Sequence, residues 1–139
     1  MRIMGLDYGG KRIGVAVSDE LQITAQGLLS LEREHLSSDI YKIKNICHKY
    51  QVQEVVVGYP LHLSGKAGET AKEAEAFKEE LQKVTGIPVF LWDERFTTRM
   101  AENTLLQADV SRSKRKIVKD KLAAVLILES YLESKQPQG

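Results

Sequence analysis

Between Val52 and Gly58 the chain carries Val55-Val56-Val57, three consecutive β-branched apolar residues. A strand with one wet face alternates apolar and polar side chains, whereas an unbroken run of this kind belongs to a strand covered on both faces, as in a parallel sheet. A parallel neighbour needs a crossover of a dozen residues or more, in practice a helix. The surrounding sequence offers two. Ser37 or Ser38 is able to cap a helix running to about Tyr50, in which Ile40, Ile43, Ile46 and Cys47 recur at helical spacing. A second helix from about Glu69 to Val84 collects Ala74, Phe77, Leu81 and Val84 on one side, Gly86 ends it, and Pro88 introduces an apolar strand from Val89 to Asp93.

The residues before this block read differently. Arg2 to Asp7 is a short apolar run that stops at Tyr8-Gly9-Gly10, a cluster suited to a tight turn, and Arg12 to Ser18 resumes with small and β-branched residues. This is a hairpin with Asp7 near its rim. Thr24 to Leu31 forms a third strand, weakened by Gly27. Beyond Asp93, Thr97 or Thr98 caps a short helix through Gln107. A polar, basic stretch from Asp109 to Lys116 then leads into a last helix from about Lys116 to Leu132, with Lys135 to Gly139 as a frayed tail. The order predicts an α/β fold: a mixed sheet with antiparallel strands 1–3 followed by parallel strands 4 and 5, and helices on both faces. The chain has 139 residues, 42% of them hydrophobic, with no internal repeat and no Pro-rich linker, so residues 1–139 are expected to form a single domain.

Several function classes drop out. Cys47 is the one cysteine, which excludes an internal disulfide or a cysteine-based zinc site and suits a buried structural thiol in a reducing compartment. No run approaches the ~18 apolar residues of a membrane span, and the N-terminus lacks a signal-peptide core, so a soluble cytoplasmic protein is expected. Twenty basic residues against 19 acidic ones leave a net charge of +1. Any grip on a polyanion must therefore come from a local patch.

Three carboxylates sit in unusual places. Asp7 and Glu94 each follow an apolar strand, at the strand ends where open α/β sheets place their ligands. Asp120 shares a helical stripe with Ile117, Ala124, Ile127 and Tyr131, and Ala123 and Ala124 are small enough to let that helix lie close to the sheet. A carboxylate on an apolar stripe needs a partner, since burying it unpaired costs several kcal/mol, and a bound cation removes that cost. Each acid also has an ordinary reading: Asp7 as a turn aspartate, Glu94 with Asp93 at a helix start, Asp120 paired with Lys116 or Arg112. All three meeting at one rim favours a metal site, and hard oxygen donors suit Mg²⁺ or Mn²⁺.

Around them lie cations. Lys11, Arg12, Arg95 and Arg99 flank Asp7 and Glu94, while Arg112, Lys114, Arg115, Lys116, Lys119 and Lys121 surround Asp120. Positive charge at a helix start opposes the helix dipole, so its concentration there favours phosphate binding. The segment Gly58 to Gly68 contains Gly65-Lys66, but six residues separate Gly58 from Gly65 where a nucleotide P-loop has four, and Ala67 replaces the magnesium-binding Ser or Thr. The segment reads instead either as a flexible loop over the rim, with His62, Ser64 and Lys66 as candidates to touch substrate, or as a plain surface loop.

GLDYGGKRIGVAVSD (Gly5 to Asp19), VVVGYPLHLSGKAG (Val55 to Gly68), DERFTT (Asp93 to Thr98) and SRSKRKIVKDKLAAVLILESYL (Ser111 to Leu132) resemble, in order, the motif blocks of the YqgF family. Its members carry the names Holliday junction resolvase and pre-16S rRNA nuclease. The resemblance covers nearly the whole chain, with one departure, His62 where the family usually has Asn. It implies an RNase H-like fold and metal-dependent catalysis by Asp7, Glu94 and Asp120. The implied partners are nucleic acid, either structured RNA such as a ribosomal precursor or branched DNA, met by a monomer or a homodimer. Two other classes compete. Asp7-Tyr8-Gly9 resembles the first phosphate-binding hairpin of sugar kinases and actin-like ATPases, but those clamp ATP between two domains of this kind, and 139 residues leave no second jaw. The other is a non-catalytic RNA- or ribosome-binding module.

Overall fold

The computed structural model describes residues 1–59, 68–93 and 112–135, the side chains of residues 70 and 112–120 excepted. Its strands are β1 (Arg2–Gly9), β2 (Arg12–Ser18), β3 (Ala25–Glu32), β4 (Val52–Tyr59) and β5 (Val89–Asp93), and its helices α1 (Leu36–Tyr50), α2 (Glu69–Thr85) and α3 (Arg112–Lys135). They form one five-stranded sheet in the order β3-β2-β1-β4-β5. β1 runs antiparallel to β2 and β2 to β3, while β1–β4 and β4–β5 are parallel. The expected mixed sheet is present.

Period-two alternation sorts the sheet residues onto two faces. Met4, Leu6, Tyr8, Val55 and Val57 join Ile40, Ile43, Phe77 and Leu81 in the core under α1 and α2. Ile3, Ala16 and Val56 join Ala124, Ile127, Leu128 and Leu132 under α3. The three valines of β4 are thus divided between two cores and all are fully buried, which is why that strand shows no polar alternation. Cys47 packs into the first core with its Sγ 3.9 Å from Met4 Sδ, and burial pushes its thiol up to about 11. Alkylating reagents at pH 8 should therefore modify Cys47 only as fast as the protein unfolds. Rapid stoichiometric labelling of the native protein, read by intact mass, would contradict that placement.

The ends of elements differ from expectation in two instructive places. α1 begins at Leu36 with His35 as its cap, and Ser38, expected as a cap, sits in the first turn. From there its hydroxyl accepts from the His35 N–H (3.3 Å) and donates to the His35 carbonyl (3.0 Å), while Asp39 accepts the N–H of Glu34 at 3.1 Å. The serine works by reaching back, so the helix starts earlier. α3 begins at Arg112 where Lys116 was expected. Arg112 to Lys116 has no apolar periodicity to mark a helix, but it contains no Gly or Pro and four of its five residues are good helix formers, so the basic stretch becomes the first turn of the helix. The expected tail from Lys135 to Gly139 begins one residue later, because Lys135 is the last residue of α3 and binds Glu54; residues 136–139 and the expected short helix through Gln107 lie outside the described residues.

Candidate active site

Asp7 lies on β1, half-buried, two residues past Gly5 on the sheet face that α3 covers. Gly5 is where that helix comes closest. A Cβ placed there would stand 2.7 Å from Leu128 Cβ and 3.0 Å from the Ala124 carbonyl oxygen, so no side chain fits without a shift. Farther along α3 the Tyr131 hydroxyl donates to Glu54 at 2.6 Å and Lys135 Nζ to the same carboxylate at 2.7 Å, and Glu54 is the β4 partner of Ile3. The helix therefore descends as β1 rises. Moving from Gly5 to Asp7 covers about 6.6 Å of strand, equal to roughly four residues of helix. Asp120 holds the position one turn before Ala124 on the stripe that meets Gly5, and so belongs to the turn level with Asp7.

The parallel strands end at the same edge. Leu6 pairs with Val57 and Val57 with Leu91, so Asp7 and Trp92 each stand one residue beyond that row. Trp92 is anchored to α3, its Nε1 donating to Ser130 Oγ at 3.0 Å and its ring meeting Tyr131 edge-on with centroids 5.4 Å apart. β5 closes at Asp93, opposite Tyr59. Glu94, the next residue, lies outside the described residues, as do Arg95, Arg99 and the loop candidates His62, Ser64 and Lys66. The structure thus brings β1 and the Asp120 turn of α3 to the edge at which β5 ends.

Of the cations, Lys11 occupies the β1–β2 turn and is exposed, with the half-buried Arg12 after it. Arg112, Lys114, Arg115 and Lys116 all lie on the first turns of α3, ahead of Asp120. Among the described residues no three His, Cys, Asp or Glu side chains form a metal-holding group, as expected when the side chains of two of the three acids fall outside them. The donor set fits a hard divalent cation: the candidates are all carboxylates, and Asp7 is half-buried at a sheet edge with solvent access.

The family model described as RuvX, Holliday junction resolvase, matches residues 1–134. The chain belongs to the RuvX family. Among curated RuvX relatives, a Carboxydothermus hydrogenoformans protein provisionally named pre-16S rRNA nuclease is 51% identical over 97% of this chain and 98% of its own length. A Geobacillus protein of the same provisional name is 48% identical over 98% of this chain and 100% of its own. Solved structures agree on the fold. Thermus thermophilus RuvC in complex with a Holliday junction substrate aligns with a TM-score of 0.61 at 15% identity over 97% of this chain and 96% of that one. The fowlpox virus Holliday junction resolvase aligns at 0.58 with 14% identity, over 98% of this chain and 100% of its own. The RuvX chain therefore has an RNase H-like fold and belongs to a family of nucleases.

Behind Asp7, on the opposite face of the sheet, lies a polar network that the sequence pattern does not reveal. Arg33, just past β3, donates from Nη2 to the Tyr8 hydroxyl (2.9 Å) and from Nη1 to the Gly10 carbonyl (2.8 Å), and pairs with Glu73 of α2 at 3.5 Å. Tyr8 in turn stacks on Phe77, centroids 4.1 Å apart. Burial pushes the Tyr8 hydroxyl's ionisation up, more than the nearby guanidinium draws it down, so it remains a neutral phenol. Farther along the edge the Tyr59 hydroxyl donates to Glu75, so two strand ends hold the first half of α2. The available signal was Tyr8 itself, a buried strand residue whose polar tip requires a partner.

Proposed function

We propose that residues 1–139 act as one metal-dependent nuclease domain that cuts nucleic-acid phosphodiesters at the C-terminal edge of its parallel strands. We further propose that its substrate is the 5′ end of precursor 16S rRNA in the cytoplasm. The observation that carries this reading is the seating of α3 on Gly5, which supports a common rim for Asp7 and Asp120 beside the exit of β5 toward Glu94. The names of relatives near 50% identity over their full length support RNA as the substrate. The family description supports a second reading, resolution of four-way DNA junctions.

In this reading Asp7, Glu94 and Asp120 would hold Mg²⁺ or Mn²⁺, which when bound would supply activation of water and stabilisation of the leaving oxygen. Asp7 is paired with Gly14 of β2 and follows the last residue paired with β4, so the backbone that carries its carboxylate is fixed by the sheet. Lys11, Arg12 and the basic first turns of α3 receive the phosphates, with Arg95 and Arg99 as further partners. Such contacts give affinity without base specificity, and binding should weaken steeply with salt.

The test is a cleavage assay in Mg²⁺ or Mn²⁺ with 5′-extended precursor 16S rRNA and a four-way DNA junction as parallel substrates. Shortening of the RNA with the junction left intact is the expected result. Paired cuts in the junction alone would favour the resolvase reading, which also requires a two-fold dimer. RNA binding without cleavage of either substrate would point to a non-catalytic module.

A further inference from the structure

The turn that presents Lys11 is held from behind by one residue. Gly9 pairs with Arg12, so Gly10 and Lys11 form the two-residue tip of the hairpin, with Gly10 at a φ of 62°. Both tip carbonyls are taken by Arg33: its backbone N–H donates to Lys11 (2.9 Å) and its Nη1 to Gly10 (2.8 Å). The other arm of the guanidinium holds the Tyr8 hydroxyl, one residue from Asp7, and the group lies 4.3 Å from the Tyr8 ring centroid. Glu73 fixes it from α2, and the Arg33 side chain is 25% exposed. One planar fork thus reaches the strand residue beside Asp7 and the tip that carries Lys11. A lysine cannot reproduce that geometry.

The tip matters because of what surrounds it. A two-residue turn entered through two consecutive glycines, Gly9 at the strand end and Gly10 in the turn, is an intrinsically loose support for a phosphate-binding lysine. Its carbonyl oxygens, if free, would present partial negative charge to an approaching polyanion. Capping them, Gly10 by the guanidinium and Lys11 by the backbone N–H of the same residue, stiffens the turn and takes up both acceptors.

We infer that Arg33 is a positioning residue for substrate: it acts through the Gly10–Lys11 turn, setting Lys11 to receive a backbone phosphate beside Asp7. The inference rests on the nuclease reading above. It places Arg33 behind the contact, and not on the reacting atoms.

A double-mutant cycle of Arg33→Gln and Lys11→Gln tests it, with fluorescence anisotropy on a labelled 5′-extended fragment of precursor 16S rRNA, and KM and kcat for the same fragment in Mg²⁺. Each single variant should weaken binding and raise KM by about tenfold, with kcat within about threefold of wild type. The double variant should be no weaker than about tenfold, because the two residues make one contact. Arg33→Lys should fall between wild type and Arg33→Gln, and it replaces the glutamine variant in the cycle if thermal melting shows that variant unfolded. Losses that multiply to about a hundredfold, an unchanged KM, or a fall in kcat alone would overturn the inference while leaving the nuclease reading intact. A wild-type protein that neither binds nor cuts the RNA would overturn both.

Discussion

Replacing Gly5 with alanine should lower stability by about 1–3 kcal/mol, the usual cost of overpacking a filled core. The physical cause is local and specific. The new methyl group would stand 2.7 Å from Leu128 Cβ and 3.0 Å from the Ala124 carbonyl, both parts of a helix that cannot yield without moving as a body. Because that contact also sets α3 against β1, nuclease activity at a temperature where the variant remains folded should fall further than the stability loss explains. Gly27→Ala is the natural comparison. Its Cβ would meet Lys121 Cβ and Val125 Cγ2 at 3.5 Å, ordinary contact distances, and thermal melting should change little. Equal effects at the two glycines would mean that close approach at Gly5 does not position the helix.

Asp7→Asn should abolish metal-dependent cleavage, a loss on the order of a thousandfold or more, with the melting temperature nearly unchanged. The substitution keeps the shape of a half-buried residue in a strand paired on both sides, so the backbone has no reason to move. What it removes is charge and one anionic donor. Retained cleavage by the asparagine variant, in protein shown free of wild-type contamination, would sink the assignment.

Much of this fold could be read from the chain because the strong signals are local. Val55-Val56-Val57 asks for cover on both faces and receives it from two separate cores, and Gly86 ends α2 with a φ of 72°, as a glycine after a periodic helix should. Less was legible where a residue's meaning depends on a distant element. Gly5 reads as one small residue in an apolar strand, yet its lack of a side chain admits α3 from more than a hundred positions away in sequence. Gly27 looked like a weakness in β3, and pairing through Ala16 puts it in the row of small residues under the same helix. Arg33 was invisible for the same reason, since its partners Tyr8, Gly10 and Glu73 are set by tertiary contact. Ala123 and Ala124 did signal a close helix, and both are buried.

The acids were legible unequally too. Asp7 and Glu94 announced themselves by following apolar strands, and β1 and β5 do end at a common edge. Asp120 announced itself by sharing a stripe with apolar residues, and that stripe, through Ala124 and Leu128, is the one that meets Gly5. Its basic neighbours at Arg112 to Lys116 belong to the helix as well, since composition alone does not separate a charged first turn from a polar stretch ahead of it.

The most direct test of the shared site is Mn²⁺ titration followed by electron paramagnetic resonance, on wild type and on Asp7→Asn, Glu94→Gln and Asp120→Asn. Wild type should bind Mn²⁺ with saturable stoichiometry, and each single substitution should weaken that binding by about tenfold or more while melting temperatures stay close to wild type. Binding that survives unchanged in any one of the three folded variants would show that its acid is not part of the site.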